Sequence, residues 1–119
     1  TLERALEIIE ETLEANPADS RALYLGAGAI QDLGDSDKAV VWVRRALALE
    51  PDEPWVLYNV ACIYSRAGET EQALDCLERS VEQGMGDTAW LEHDTDFDPI
   101  REEPRFNALL ERLRASGND

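Results

Sequence analysis

The sequence predicts an all-α fold, a right-handed superhelical stack of antiparallel helix pairs that a degenerate C-terminal capping repeat closes. The first observation is an internal repeat, because Ala5, Ala39 and Ala73 are each 34 residues apart and other apolar, proline and glycine positions recur at the same offset. The second is the spacing of apolar residues, three or four apart, which is typical of amphipathic helices. A unit of this length holds two short helices, and such units bury their apolar faces by stacking.

Proline, glycine and capping residues predict where each helix begins and ends. Pro17 and Pro51 stop the first and third helices, since proline cannot continue a helix. Gly34 and Gly68 end the second and fourth helices, because glycine adopts the left-handed conformation at little cost. Gly84 and Gly86 then break the fifth. The residues suited to starting the second, third and fourth helices are Asp19, Ser20, Asp35, Ser36 and Pro54.

Each predicted helix carries one apolar stripe. The stripes of the first five helices are formed by Leu2, Leu6, Ile9 and Leu13; by Leu23, Ala27 and Ile30; by Ala39, Val40, Val43, Ala46 and Leu47; by Leu57, Val60, Ala61 and Tyr64; and by Ala73, Leu74, Leu77 and Val81. After Gly86 the register fades into a short helix over residues 90–94. A last helix with Phe106, Leu109, Leu110 and Leu113 on one face is then suited to cap the stack.

The repeat also predicts how the chain is organised. We expect residues 1–119 to form a single domain in which residues 1–17 are the second helix of a truncated repeat, 20–53 and 54–86 are repeats, and 87–115 are the degenerate repeat with its capping helix. Thr1 then lies in the middle of a unit, so we expect a fragment of a longer protein. The incompletely covered stripe of the first helix would allow a homodimer through that helix.

Charge and composition exclude several classes of function. The chain has 26 acidic and 11 basic residues and a formal net charge of −15, which repels phosphate backbones and anionic lipid surfaces. We therefore expect neither a nucleic acid nor a membrane as partner. The sequence has no export signal or apolar run of spanning length, and its two cysteines form no CxxC pair, which favours a cytoplasmic location.

Small and large residues of the two central units resemble the tetratricopeptide repeat. The residues that match this family are Leu23, Ala27, Ile30, Ala39, Val43, Ala46 and Pro51 in the first of these units, and Leu57, Val60, Ala61, Tyr64, Gly68, Ala73 and Leu77 in the second. Gly26, Ser80 and Met85 depart from the family pattern. The resemblance implies a non-catalytic module for protein-protein interaction.

The run from His93 to Leu110 resembles closing segments that follow tetratricopeptide arrays in bacterial multidomain signalling proteins. This second resemblance covers only the last quarter of the chain. It implies a bacterial source and a position near the C-terminus of the whole protein.

The resemblance places function on the concave groove, which the first helix of each unit lines. Tyr24 and Tyr58 occupy equivalent positions there, and Trp55 lies beside them. We expect this groove to bind a peptide or a partner helix that is basic or neutral. The alternatives are a structural spacer or a self-association module, with Trp55 and Tyr58 merely packing against the neighbouring unit. The candidate groove residues are Arg21, Tyr24, Gln31, Trp55, Tyr58, Asn59, Cys62 and Arg66.

Three more specific functions find little support in the sequence. The cationic clamp that some members of the family use for a C-terminal carboxylate would keep only Asn59 here. His93 with Asp94, Asp96 and Asp98 is a weak metal motif, and we interpret this segment as an acidic connector without metal or other cofactor. No catalytic set is apparent, so we expect no enzyme, and Cys62 is interpreted as a small hydrophobic residue.

Overall fold

The predicted first helix, the two helix pairs that follow it and the capping helix are present in the computed structural model, which describes residues 1–85 and 87–116. This part of the chain holds seven α-helices, one 3-10 helix and no strand. The predicted all-α stack is therefore confirmed, while the predicted break at Gly86 lies outside the described residues. In chain order the elements are α1 (Leu2–Ala15), α2 (Ser20–Asp32), α3 (Ser36–Leu49), α4 (Pro54–Arg66), α5 (Thr70–Glu82), α6 (Thr88–His93), the 3-10 helix (Thr95–Ile100) and α7 (Pro104–Ala115). No helix in the described ranges is long and apolar enough to cross a membrane.

The glycines end their helices as the sequence predicts. Gly34 has a φ of 99° and Gly68 a φ of 80°, a backbone region that favours glycine. In both turns the residue after glycine donates its backbone N–H to a carbonyl five residues earlier, Asp35 to Ile30 at 3.1 Å and Glu69 to Tyr64 at 2.9 Å. These bonds satisfy carbonyls that the helix end would otherwise leave unpaired.

Small residues let the helices of the stack approach closely. The repeat alanines Ala39 and Ala73 have no exposed surface, and both lie in the continuous core that runs from α1 to α7. Ser80, which stands where the family has a small apolar residue, is also buried and donates its hydroxyl to the carbonyl of Pro54 at 3.1 Å. A hydroxyl at this position therefore joins α5 to the start of α4 without loss of close packing.

Gly26 departs from the family pattern because a tryptophan fills the space of its side chain. A Cβ atom added at Gly26 would lie 2.9 Å from Cε3 of Trp42, closer still to Cζ3 of the same ring, and 3.0 Å from Cγ2 of Ile9. Trp42 is buried, so its indole has little room to move. A Cβ atom at Gly28, by contrast, would meet nothing within 4 Å.

We predict opposite effects for alanine at these two glycines. Gly26→Ala should lower the free energy of unfolding by about 1–3 kcal/mol, because overpacking a filled core forces side chains out of position. Gly28→Ala should raise it by up to about 1 kcal/mol, since alanine favours the helix more than glycine and has space here. Urea unfolding of both variants checks this pair, and equal shifts in the same direction would contradict the packing argument.

The segments that follow α6 contribute side chains to the hydrophobic core. Phe97 and Ile100 of the 3-10 helix and Phe106 of α7 have no exposed surface, and the rings of Phe97 and Phe106 lie 5.9 Å apart. The sequence pattern predicts only an acidic connector around Asp96 and Asp98. In the structure, the apolar residues between these acids anchor the segment in the core, and the segment folds as a 3-10 helix.

Two arginines attach the cap by different means. Arg101 donates to the backbone carbonyls of Leu91, Glu92 and Asp94 at 3.0, 2.8 and 2.7 Å, and so satisfies the end of α6. Its guanidinium carbon also lies 5.6 Å from the ring centre of Phe106. Arg105 instead joins α7 to the surface of α5 through acidic side chains. The carboxylates that Arg105 contacts at 2.7 to 2.9 Å are those of Glu71, Asp75 and Glu78.

We predict that Arg101→Ala costs more stability than Arg105→Ala. Loss of Arg101 leaves carbonyls in a partly buried helix end without a charged donor, at a cost of about 2–4 kcal/mol. Loss of Arg105 removes ion pairs that face solvent, at a cost of about 1 kcal/mol. Urea unfolding in low and high salt measures both. The stability loss in Arg105→Ala should shrink with salt, whereas the loss in Arg101→Ala should persist. A larger loss in Arg105→Ala than in Arg101→Ala would refute the capping role of Arg101.

Candidate partner-binding groove

The first helices of successive units lie side by side, so the 34-residue offset aligns their outward stripes. Helix α4 contacts α2 on one side and the 3-10 helix on the other. We call the outward stripe of α2 and α4 the groove face. The sequence-predicted site residues on it are Arg21, Tyr24 and Gln31 on α2 and Trp55, Tyr58, Asn59, Cys62 and Arg66 on α4.

An open cleft lies between the N-terminal half of α4 and α6. Its volume is about 500 Å³, its walls are mostly apolar, and it is lined by Tyr58, Ala89, Trp90, His93 and Asp94. We call it the aromatic cleft. Trp55 adjoins it, because its ring centre lies 5.8 Å from that of Trp90 with the planes tilted by 48°. Trp55 and Trp90 remain 49% and 47% exposed, so aromatic surface faces solvent here.

Tyr58 lines this cleft and also holds the cap. Its hydroxyl donates to Oδ2 of Asp94 at 2.8 Å, and its ring meets Phe97 edge to face at 5.5 Å between ring centres. Only 8% of the residue is exposed. Burial, followed by the hydrogen bond to Asp94, raises the pKa of the Tyr58 hydroxyl above its usual value, so it stays protonated as a donor. Tyr58 therefore packs against the neighbouring unit, whereas Trp55 is half exposed.

Beside the cleft, the Cys62 thiol meets two carboxylates, those of Asp96 and of the lining residue Asp94. Ligand atoms of Cys62, Asp94 and Asp96 lie within 4.8 Å of one another. Burial, then the charges of Asp94 and Asp96, raises the pKa of the Cys62 thiol, and this thiol shares a hydrogen bond with Asp96. Metal binding needs the thiolate, which this setting disfavours. Among the described residues, His93 and Asp98 of the sequence motif do not belong to this cluster.

Two polar side chains of the groove face join the units to one another. Arg66 contacts Asp32 of the preceding unit at 2.6 Å and Asp96 of the 3-10 helix at 3.9 Å. The buried amide of Gln31 donates to the carbonyl of Ile63 at 3.0 Å. These contacts fix how α2, α4 and the 3-10 helix lie against each other.

The remaining predicted residues lie nearer the surface. Asn59 donates its amide to the carbonyl of Trp55 at 2.8 Å, which occupies it with its own helix. Arg21 is exposed and Tyr24 half-buried. Burial raises the pKa of the Tyr24 hydroxyl, and the charge of Arg21 opposes that shift. The structure therefore divides the predicted set into surface residues and residues that hold the stack together.

Sequence reasoning missed Trp90, which lines the aromatic cleft. The 34-residue offset relates Trp90 to Val56, which is buried inside α4 and gives no sign of an exposed ring. The available signal was the tryptophan itself, since a large aromatic residue in a polar six-residue helix is unusual.

The raised pKa of Asp96 predicts a pH-dependent stability. Burial and the charge of Asp94 raise the Asp96 pKa above 3.8, while Arg66 partly opposes the shift. Below its unfolded-state pKa, an acid whose pKa is raised in the folded state is protonated in both states and does not lower the free energy of unfolding. As the pH rises through the two pKa values, the free energy of unfolding falls, because the charged form is less favourable in the folded protein. Asp96→Asn should therefore be more stable than the parent at pH 7, and the difference should vanish below about pH 4. Urea unfolding from pH 3 to 7 measures this, with exposed Glu102→Gln as control; a difference that is constant with pH would contradict it.

Comparison with known proteins is consistent with this fold. Residues 43–75 match the family model of the tetratricopeptide repeat. A 67-residue stretch, 56% of this chain, is 33% identical to a chloroplast protein of Arabidopsis thaliana and spans 20% of that protein.

Solved structures of helical-repeat proteins superpose over nearly the whole chain. A crystal structure of MamA is similar with a TM-score of 0.70 and 16% identity, over 96% of this chain and 67% of that one. The type III secretion translocator chaperone SycD of Yersinia enterocolitica is similar with a TM-score of 0.61 and 18% identity, over 99% of this chain and 75% of that one. At these identities the likeness concerns the fold alone.

Proposed function

We propose that the chain is a non-catalytic interaction module that binds a peptide or a partner helix along its groove face, which its match to the tetratricopeptide repeat over residues 43–75 supports. In this proposal residues 20–53 and 54–86 are the repeats, residues 87–115 close the stack, and residues 1–17 belong to a preceding unit. The module would work in the cytoplasm as part of a larger signalling protein.

The observation that carries this proposal is the half-exposed Trp55–Trp90 pair beside the aromatic cleft. Tryptophan is rarely left this exposed, because burying such a ring stabilises a protein strongly. Exposed aromatic surface next to a pocket is typical of interaction sites, where rigid rings give contact area at little cost in side-chain entropy. The apolar cleft walls and the adjacent Asp94 suit a segment with both apolar and polar groups.

The charge of the chain narrows the class of partner. A net charge of −15 attracts basic partners, does not oppose neutral ones and slows association with acidic ones. We expect Arg21, Tyr24 and Asn59 to lie along the path of a bound segment. Gln31, Cys62 and Arg66 would act as positioning residues, since their contacts lie within the stack.

We predict that Trp55→Ala with Trp90→Ala weakens peptide binding by at least about tenfold, because truncating two aromatic anchors removes most of the central contact area. Peptides selected from a random 12-residue display library provide the ligands, and fluorescence polarisation measures their affinities. Tyr58→Ala is unsuitable as the test, since it would also remove packing against Phe97.

Val41→Ala is the matched control, because Val41 is exposed on α3 and its truncation should leave affinity unchanged. Helical circular dichroism of each variant should match the parent. If the selected peptides bind the double variant as tightly as the parent, the proposal that this groove binds the partner is refuted.

The alternative function is a spacer or self-association module, for which exposed Leu2 and Ile8 on α1 offer an apolar contact. A homodimer through α1 would bring two acidic helices together, which opposes it at low salt. The acidic residues of this helix are Glu3, Glu7, Glu10, Glu11 and Glu14. This alternative gains support if no library peptide is enriched and light scattering finds a dimer.

A further inference from the structure

We propose that the aromatic cleft is a subsite for one arginine side chain of the partner, whose guanidinium lies on the Trp55–Trp90 pair beside the Asp94 carboxylate. This inference rests on the proposed function and names the chemical group that the groove selects. It follows from ring geometry, from the carboxylate in the cleft and from the charges around it.

The two indoles offer π faces to a planar cation. Their ring centres are 5.8 Å apart at a 48° tilt, and about half of each residue is exposed, so a side chain can lie across both. Tyr58 adds a third ring, 6.3 Å from Trp90, at the wall of the cleft. Guanidinium groups stack on indole faces because the ring quadrupole attracts a cation and the flat group keeps its donors free at its edge.

Asp94 places an acceptor at the wall of the same cleft. Its Oδ2 accepts from the Tyr58 hydroxyl at 2.8 Å, and its Oδ1 accepts from the backbone N–H of Asp96 at 3.0 Å. Each carboxylate oxygen has two lone pairs, so both oxygens retain capacity for a further donor. The forked guanidinium suits such a carboxylate better than the single ammonium of lysine does.

The charges near the cleft are complementary to arginine. Its lining residues contain one carboxylate and, apart from the His93 imidazole, no basic side chain. The two helices that carry the tryptophans also begin with acidic caps. Glu53 accepts from the N–H of Val56 at the start of α4, and Asp87 accepts from that of Ala89 at the start of α6. Arg101 donates to the backbone carbonyl of Asp94 and Arg66 pairs with Asp32 and Asp96, so among the described residues no basic side chain forms an ion pair with the Asp94 carboxylate that an arginine would meet here.

The experiment uses the indole N–H resonances of the 15N-labelled protein, which report each tryptophan separately. The probe is the capped peptide acetyl-Gly-Gly-Arg-Gly-Gly-amide, and the same peptide with citrulline is the uncharged match. We expect saturable shifts of Trp55 and Trp90 that are at least about fivefold larger with arginine than with citrulline at equal concentration. Trp42 is the internal control, because it is buried against Gly26 and should not shift.

Trp90→Leu keeps apolar area but removes the π face, and should abolish the preference of the remaining Trp55 signal for arginine over citrulline. Val41→Ala should preserve it. Equal shifts with citrulline, equal shifts with a lysine peptide, or no saturable shift overturn the arginine subsite. If library peptides still bind the groove face in that case, the proposed function stands and only the arginine subsite is refuted. If no library peptide binds either, both the subsite and the proposed function are refuted.

Discussion

The groove depends on one aromatic junction, the packing of Phe97 between Tyr58 and Phe106. Phe97 is completely buried, with ring centres 5.5 Å from Tyr58 and 5.9 Å from Phe106. It thus links α4, the 3-10 helix and α7 through one side chain. Because α6 has only six residues, it depends on these neighbours and on Arg101 for its position. Trp90 lies beside Trp55 only while this junction holds.

One charge beside the cleft, the Asp96 carboxylate, opposes stability while it favours a cationic ligand, because burial and the charge of Asp94 raise its pKa. Asp94 and Asp96 are close to each other and partly buried, and both raise the pKa of the Cys62 thiol. The charge of Arg66, which also contacts Asp32, offsets part of this cost. A partner that brings positive charge to the cleft would reduce the repulsion between Asp94 and Asp96. The Asp96 charge, which weakens the free protein, would then strengthen its complex.

The 34-residue period predicted most of the fold, because each repeated residue meets a requirement of its own helix or of the helix packed against it. Pro51 and Gly34 act on their own helix ends, and Ala39 fits wherever two helices come close, so each can be interpreted without a structure. The site was only partly predictable, since its contacts cross units outside the period. The offset relates Asp94 to Val60 in the middle of α4, whereas Asp94 follows the end of the short α6, so the repeat gives no sign of the hydrogen bond between Tyr58 and Asp94. The counterpart of Trp90 is the buried Val56, which gives no sign of an exposed ring.

Helix α4 divides its groove stripe into two halves with different roles. Toward the C-terminal end, Cys62 and Arg66 are engaged with the 3-10 helix and with Asp32. Toward the N-terminal end, Trp55 is half exposed, with the ring of Trp90 in α6 beside it. The starts of α4 and α6, Pro54 and Thr88, are 34 residues apart, so α6 is shortened only at its C-terminal end, where the 3-10 helix follows and packs against α4. The residues of α4 that hold the last unit in place therefore differ from the half-exposed Trp55, which stays open to a partner.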